Sequence, residues 1–168
     1  EGEAIRDAML TISGRLDRTQ GGPSVPVFVT HFMDGRGKPA SGPLDGNGRR
    51  TLYVATKRNF LSPMLLAFDT PIPFSTMGRR NVSNVPAQSL VLMNDPLVVQ
   101  QAALWAKSLP PADAPQARLR QMYAAAFARH PSAEETEDAL AFLQEQATAL
   151  NCPPGDARPW ADLAHVLF

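Results

Sequence analysis

Proline stands at sixteen of the 168 positions of this chain. A proline fixes φ near about −65° and has no N–H to give, so it ends a helix or sits in its first turn. A chain cut this often is expected to fold from short elements joined by ordered loops. The prolines also mark where those elements start. Ser62 followed by Pro63 reads as a cap and first residue of a short helix, "LSPMLLAFDTP", which Pro71 and Pro73 then stop. Asn94–Asp95–Pro96 reads the same way, a polar cap followed by a first-turn proline.

Between the breaks, apolar spacing names the elements. Ile5, Met9, Ile12 and Leu16 form one stripe of a first helix over "EAIRDAMLTISGRL". "VPVFVTHF" and "TLYVAT" are β-branched and aromatic, and are predicted to pair as antiparallel strands over 26–31 and 51–56. The Gly-, Pro- and Asp-rich stretch between them is expected to be an exposed loop. A short helix is expected over about 86–93. Val98, Ala102, Trp105 and Leu109 line the next one. After "PPADAP" another carries Leu119, Met122, Tyr123, Ala126 and Phe127. Ser132 and Glu135 match a capping box for a helix bearing Leu140, Leu143, Ala147 and Leu150. Trp160 opens a last helix. The expected fold is mainly α: a single irregular helical domain over 1–168, about six helices with a small two-stranded antiparallel β-ribbon.

Composition narrows the function. Charge sums to zero, but residues 1–80 hold eleven Lys/Arg and seven Asp/Glu, net +4, while residues 81–168 hold five and nine, net −4. Neither half is basic enough for a nucleic-acid binder. No run of about 18 apolar residues is present, so no membrane span is expected. Cys152 is the single cysteine, which excludes an intrachain disulfide and a Cys-based metal site. His31, His130 and His165 show no i, i+4 pair, and no metal site is expected. Nucleotide-binding and serine-hydrolase motifs are missing too.

The densest polar stretch is "RRNVSNVPAQSLVLMNDP", residues 79–96. Arg79, Arg80, Asn84 and Gln88 are candidates to bind an anion or a polyol, because guanidinium forks suit carboxylate, sulfate and phosphate. They are also suited to fastening a loop by donating to carbonyls or to Asp69. Asn94 and Asp95 are either a catalytic carboxylate with its orienting amide or the cap of the following helix. Asp69 and Asp95 are the carboxylates that a hydrolytic pair would need. Trp105 and Trp160 read as core anchors before sugar platforms.

Several ordered segments carry a family likeness. "EAIRDAMLTISGRLDRTQGGPSV", "RRTLYVATKRNFLSPMLLAFDTP", "RRNVSNVPAQSLVLMNDP" and "YAAAFARHPSAEE" resemble the C-terminal domain of unknown function of large planctomycete secreted proteins, which also carry planctomycete-type cytochrome c domains. The resemblance implies a fragment of a longer domain, with upstream domains of the same polypeptide as partners and an extracytoplasmic location, periplasmic or secreted. It implies no reaction. No C-x-x-C-H is present, so haem is not expected here, nor any other cofactor. Two functions follow as expectations. One is a non-catalytic assembly or substrate-capture module. The other is the half-site of a polysaccharide-acting hydrolase or lyase using Asp69, Asp95 and Arg79 or Arg80, with anionic polysaccharide as ligand. A fragment is also expected to leave apolar surface uncovered on its first helix and over Trp160–Phe168.

Overall fold

A computed structural model describes residues 1–109 and 114–168. Seven α-helices form among them: α1 (Gly2–Ile12), α2 (Pro63–Ala67), α3 (Pro86–Asn94), α4 (Pro96–Ser108), α5 (Pro115–Phe127), α6 (Ala133–Ala149) and α7 (Ala157–Leu167). The chain divides into two compact units. Residues 1–11 and 15–97 make the first, and residues 12–14 and 98–168 make the second. Most of the "PPADAP" separator lies outside the described residues.

Helix starts follow the caps read from sequence. Ser62 Oγ accepts from Leu65 N–H ahead of α2. Ser132 and Glu135 exchange both bonds of the capping box ahead of α6. α7 begins three residues before Trp160, where Asp156 accepts from Arg158 N–H. α1 stops at Ile12, short of the expected Leu16, because Gly14 turns the chain at φ +72°.

The expected β-ribbon is corrected. No strand forms among the described residues; the two segments meet at one isolated parallel bridge, Val25 with Val54. Pro26 brings no N–H to a ladder. Val29 N–H goes to Ser41 Oγ at 2.9 Å, and the Val27 carbonyl accepts from Gly42 N–H at 2.9 Å. Gly42 is required there: a Cβ would sit 2.0 Å from the Pro26 carbonyl oxygen. On the other side, Thr51–Tyr53 winds into a 3-10 turn. The β-branched residues serve burial instead of pairing. Val27 and Val29 pack with Phe60 in a small core of the first unit.

The second unit has the larger core. Trp105 and Ala106 of α4, Leu119 and Met122 of α5, Leu143 of α6, and Trp160 and Leu163 of α7 close on one another. Both tryptophans are therefore anchors, and Phe168 stacks on Trp105 with ring centroids 5.2 Å apart. The expectation of bare apolar surface at α7 fails for most of its residues: Val166 is exposed, but Trp160, Leu163 and Ala164 are buried. Phe127 and Leu150, placed on apolar faces by their spacing, lie at the exposed ends of α5 and α6. Exposed apolar side chains gather elsewhere, in the first unit, from Ile72 to Met93.

The cap of α6 gives a pH test. The Arg129 guanidinium first, and Ser132 N–H second, hold the Glu135 carboxyl at a pKa of about 2, against an ordinary 4.5. A depressed carboxylate stabilises the fold above its unfolded pKa and loses that contribution as pH falls through the folded one. The window is therefore between 4.5 and about 2. Glu135→Gln is expected to flatten the acid limb of stability there, checked by thermal unfolding of both proteins across that range.

Candidate functional site

The polar stretch 79–96 lies in the first unit, wrapped against α2 and α1. Arg80 carries the strongest interaction in it. Its two terminal nitrogens donate to the two carboxylate oxygens of Glu3 on α1, at 3.2 and 2.7 Å. The second nitrogen also donates to the Phe68 carbonyl at 3.3 Å and to Thr70 Oγ1 at 3.2 Å. Thr70 Oγ1 donates in turn to Glu3 at 3.2 Å. Burial works to raise the Glu3 carboxyl, but the Arg80 hydrogen bonds and charge outweigh it and leave the pKa lowered. Such an acid is ionised at neutral pH and has no proton to give a leaving group.

Asp69 closes α2. It stands at φ 59°, a left-handed conformation that Asp tolerates better than most residues. One carboxylate oxygen accepts from Ser83 N–H at 2.7 Å and from Ser83 Oγ at 2.8 Å. These two bonds, ahead of the Arg80 charge, lower its pKa. Arg80 thus sits near Asp69 but is tied to Glu3. Gln88, on α3, donates from Nε2 to the Ala67 and Ser83 carbonyls, each at 3.1 Å. Arg79 and Asn84 are exposed and take no part in this set.

Asn94 ends α3, Asp95 alone separates it from α4, and the two do different things. Asn94 Nδ2 donates back to the Leu90 carbonyl at 2.8 Å, within its own helix. Asp95 Oδ1 accepts from Leu97 N–H at 2.9 Å and caps α4. Burial raises the Asp95 carboxyl, and the Leu97 N–H offsets part of that.

Two recesses adjoin these groups. Asp95 and Arg6 line a small one of about 70 Å³. Glu3 lines a larger one of about 270 Å³, whose other polar walls are Thr51, Thr56, Ser62 and Thr70 over an apolar floor that includes Phe60. Asp69 lines neither recess. The structure therefore brings Asp69, Arg80 and Gln88 together around the end of α2, and leaves Asp95 in a different recess. Glu3 was not among the sequence candidates. Its spacing in α1 is that of an ordinary polar helix position, so no local signal marks it.

Among the described residues, no group of three His, Cys, Asp or Glu side chains is placed to hold a metal ion. No described helix is long and apolar enough to cross a membrane. A family model described as "Protein of unknown function (DUF1553)", PSD1, matches residues 1–143. The chain belongs to the DUF1553 family. The match takes in the whole Glu3–Arg80 arrangement and ends within α6. No curated protein and no solved structure matches it.

Variants at Arg80, Glu3 and Asp95 test these geometries. The Arg80–Glu3 pair is partly exposed on both sides, so its coupling is expected at about 1 kcal/mol, below that of a buried arginine. A double-mutant cycle of Arg80→Ala and Glu3→Gln in urea unfolding measures it. At Asp95, removing the cap with Ala is expected to cost about 1 kcal/mol. Asp95→Asn keeps an acceptor and removes a charge that burial disfavours. A raised carboxyl loses stability as pH rises through its folded pKa. Asp95→Asn is therefore expected to melt at or above the parent at neutral pH, with the advantage disappearing in acid.

Proposed function

We propose that this DUF1553 chain is a non-catalytic assembly and substrate-capture module of a large extracytoplasmic, cytochrome-linked protein. One observation carries the reading. The polar groups that could do chemistry in and beside 79–96 are spent inside the chain: Arg80 on Glu3, Asp69 on Ser83, Asp95 on the α4 cap. A hydrolytic pair needs one carboxyl protonated and both facing one space. Asp69 and Asp95 do not line a common recess, and the acid beside Arg80 has a lowered pKa.

Assembly is supported by what the polar groups fasten down. α3 has no buried residue, with Met93 65% exposed, and Val82 just before it is 92% exposed. Phe74 and Leu90 add to this apolar rim. Apolar surface of this kind marks contact with other protein. In this reading the Arg80–Glu3 and Gln88 bonds set the rim against α2, and upstream domains of the same polypeptide cover it. Capture is assigned to the recess beside Glu3, whose hydroxyl walls and apolar floor suit a sugar ring of a polysaccharide.

Hydrogen exchange tests this. Amides over 72–94 are expected to exchange at least about tenfold more slowly in a longer polypeptide carrying the upstream domains than in this chain alone. Equal exchange in both would refute the assembly reading. Cleavage of a carboxylated or sulfated glycan by the chain, lost in Asp69→Asn or Asp95→Asn, would replace it with the hydrolase or lyase half-site.

A further inference from the structure

The second unit has a cavity of about 430 Å³ between α5, α6 and the turn before α7, remote in sequence from the groups above. Its size lies in the range of small-molecule sites. Leu140 and Leu143 give it an apolar wall, and the ring of Trp160 forms part of its lining. Arg118 and Gln144 are its polar members, and Arg118 is the one charged residue lining it among the described residues.

Arg118 is unusual in this molecule. Its guanidinium lies over the Trp160 ring, 4.3 Å from the centroid. One terminal nitrogen donates to the Ala106 carbonyl. Its Nε is buried without a partner, the single such side-chain atom among the described residues. No ion pair involving it occurs among those residues, whereas Arg6, Arg15, Arg49, Arg50, Arg80, Arg129 and Arg158 each have a carboxylate within reach. Burial lowers its pKa, and no acid among the described residues opposes the effect. A partly desolvated guanidinium with a buried donor to spare is favoured by the arrival of an anion.

We infer that this cavity is a binding site for a small carboxylic acid with an apolar body, its carboxylate on Arg118 and its body between Trp160 and the leucines of α6. A carboxylate fits the planar guanidinium fork and carries the one negative charge that a single cation can match. A doubly charged phosphate would be left half-compensated among apolar walls. Room is ample, since about 150 Å³ of apolar cavity admits a benzene ring. The inference is independent of the function proposed for the first unit.

The probe is benzoate, with benzamide as its neutral counterpart, titrated into the 168-residue chain and read by the indole N–H resonances in two-dimensional NMR. The Trp160 indole donates to the Pro154 carbonyl at 3.2 Å and reports on the site, while Trp105 serves as the internal control. Benzoate is expected to shift Trp160 saturably and leave Trp105 in place, with an affinity about tenfold or more above that of benzamide. Arg118→Gln is expected to bring benzoate down to the benzamide level. Gly155 also lines the cavity, and a Cβ there meets no atom within 4 Å, so Gly155→Leu adds bulk at the cavity's edge with no clash at its Cβ. It is expected to abolish the benzoate shift. Equal affinities for benzoate and benzamide, no saturable shift, or benzoate binding unchanged in Gly155→Leu would each overturn the inference. If Arg118→Gln does not fold, the benzoate–benzamide comparison and Gly155→Leu decide it alone.

Discussion

The first unit depends on a buried arginine. Arg6 is 6% exposed, and its guanidinium donates to the Arg49 carbonyl and Thr51 Oγ1 at 3.0 Å and to the Asp45 carbonyl at 2.7 Å. Thr51 is held a second time, through its N–H and hydroxyl, by Asp7. Sheet ladders would normally satisfy backbone carbonyls in a segment like this. Here one cation on α1 does that work for the loop 45–51, and Asp7 beside it keeps the charge compensated at 3.6 Å. Burial alone lowers the Arg6 pKa, and Asp7 and Asp45 work against that loss.

The same device recurs. Arg49 donates to the Thr19 carbonyl at 2.8 Å and to the Gly21 carbonyl at 2.5 Å, and its guanidinium stacks on Tyr53. Arg80 does for the end of α2 what Arg6 does for loop 45–51. Gly48 allows a close backbone approach beside them, since a Cβ there would meet the Arg15 carbonyl oxygen at 2.0 Å. The net positive charge of residues 1–80 thus reads as a set of fasteners for irregular backbone. An arginine suits this role because it presents five donors in a fixed plane on a long arm.

What could be read from sequence was local. Helix starts at Pro63, Pro86 and Pro96, and the Ser132–Glu135 box, are decided by residues within four positions of one another, so spacing reveals them. The ribbon was misread because β-branched content signals burial as much as pairing, and here Val27 and Val29 are buried without partners in a ladder. The partners of the arginines were not legible at all. Glu3 and Arg80 are 77 positions apart, and nothing in either neighbourhood names the other. One clue existed: Gly2, Arg6, Met9 and Leu10 share the buried face of α1, an i, i+4, i+7, i+8 set with a charge inside it. A charged residue on an apolar stripe asks for a distant acceptor.

Those distant acceptors have a consequence in time. The bonds of Arg6 close loops of 39 to 45 residues, and that of Arg80 to Glu3 closes 77, so each must wait for a long segment to find its end. In the second unit, α5, α6 and α7 pack chiefly on sequence neighbours. Contact separation of that kind sets folding speed. The helices of the second unit are placed to form early, within the reach of local collapse. The arginine-fastened backbone of the first is by the same rule expected to assemble later, its loops accessible to proteases until Arg6 is seated.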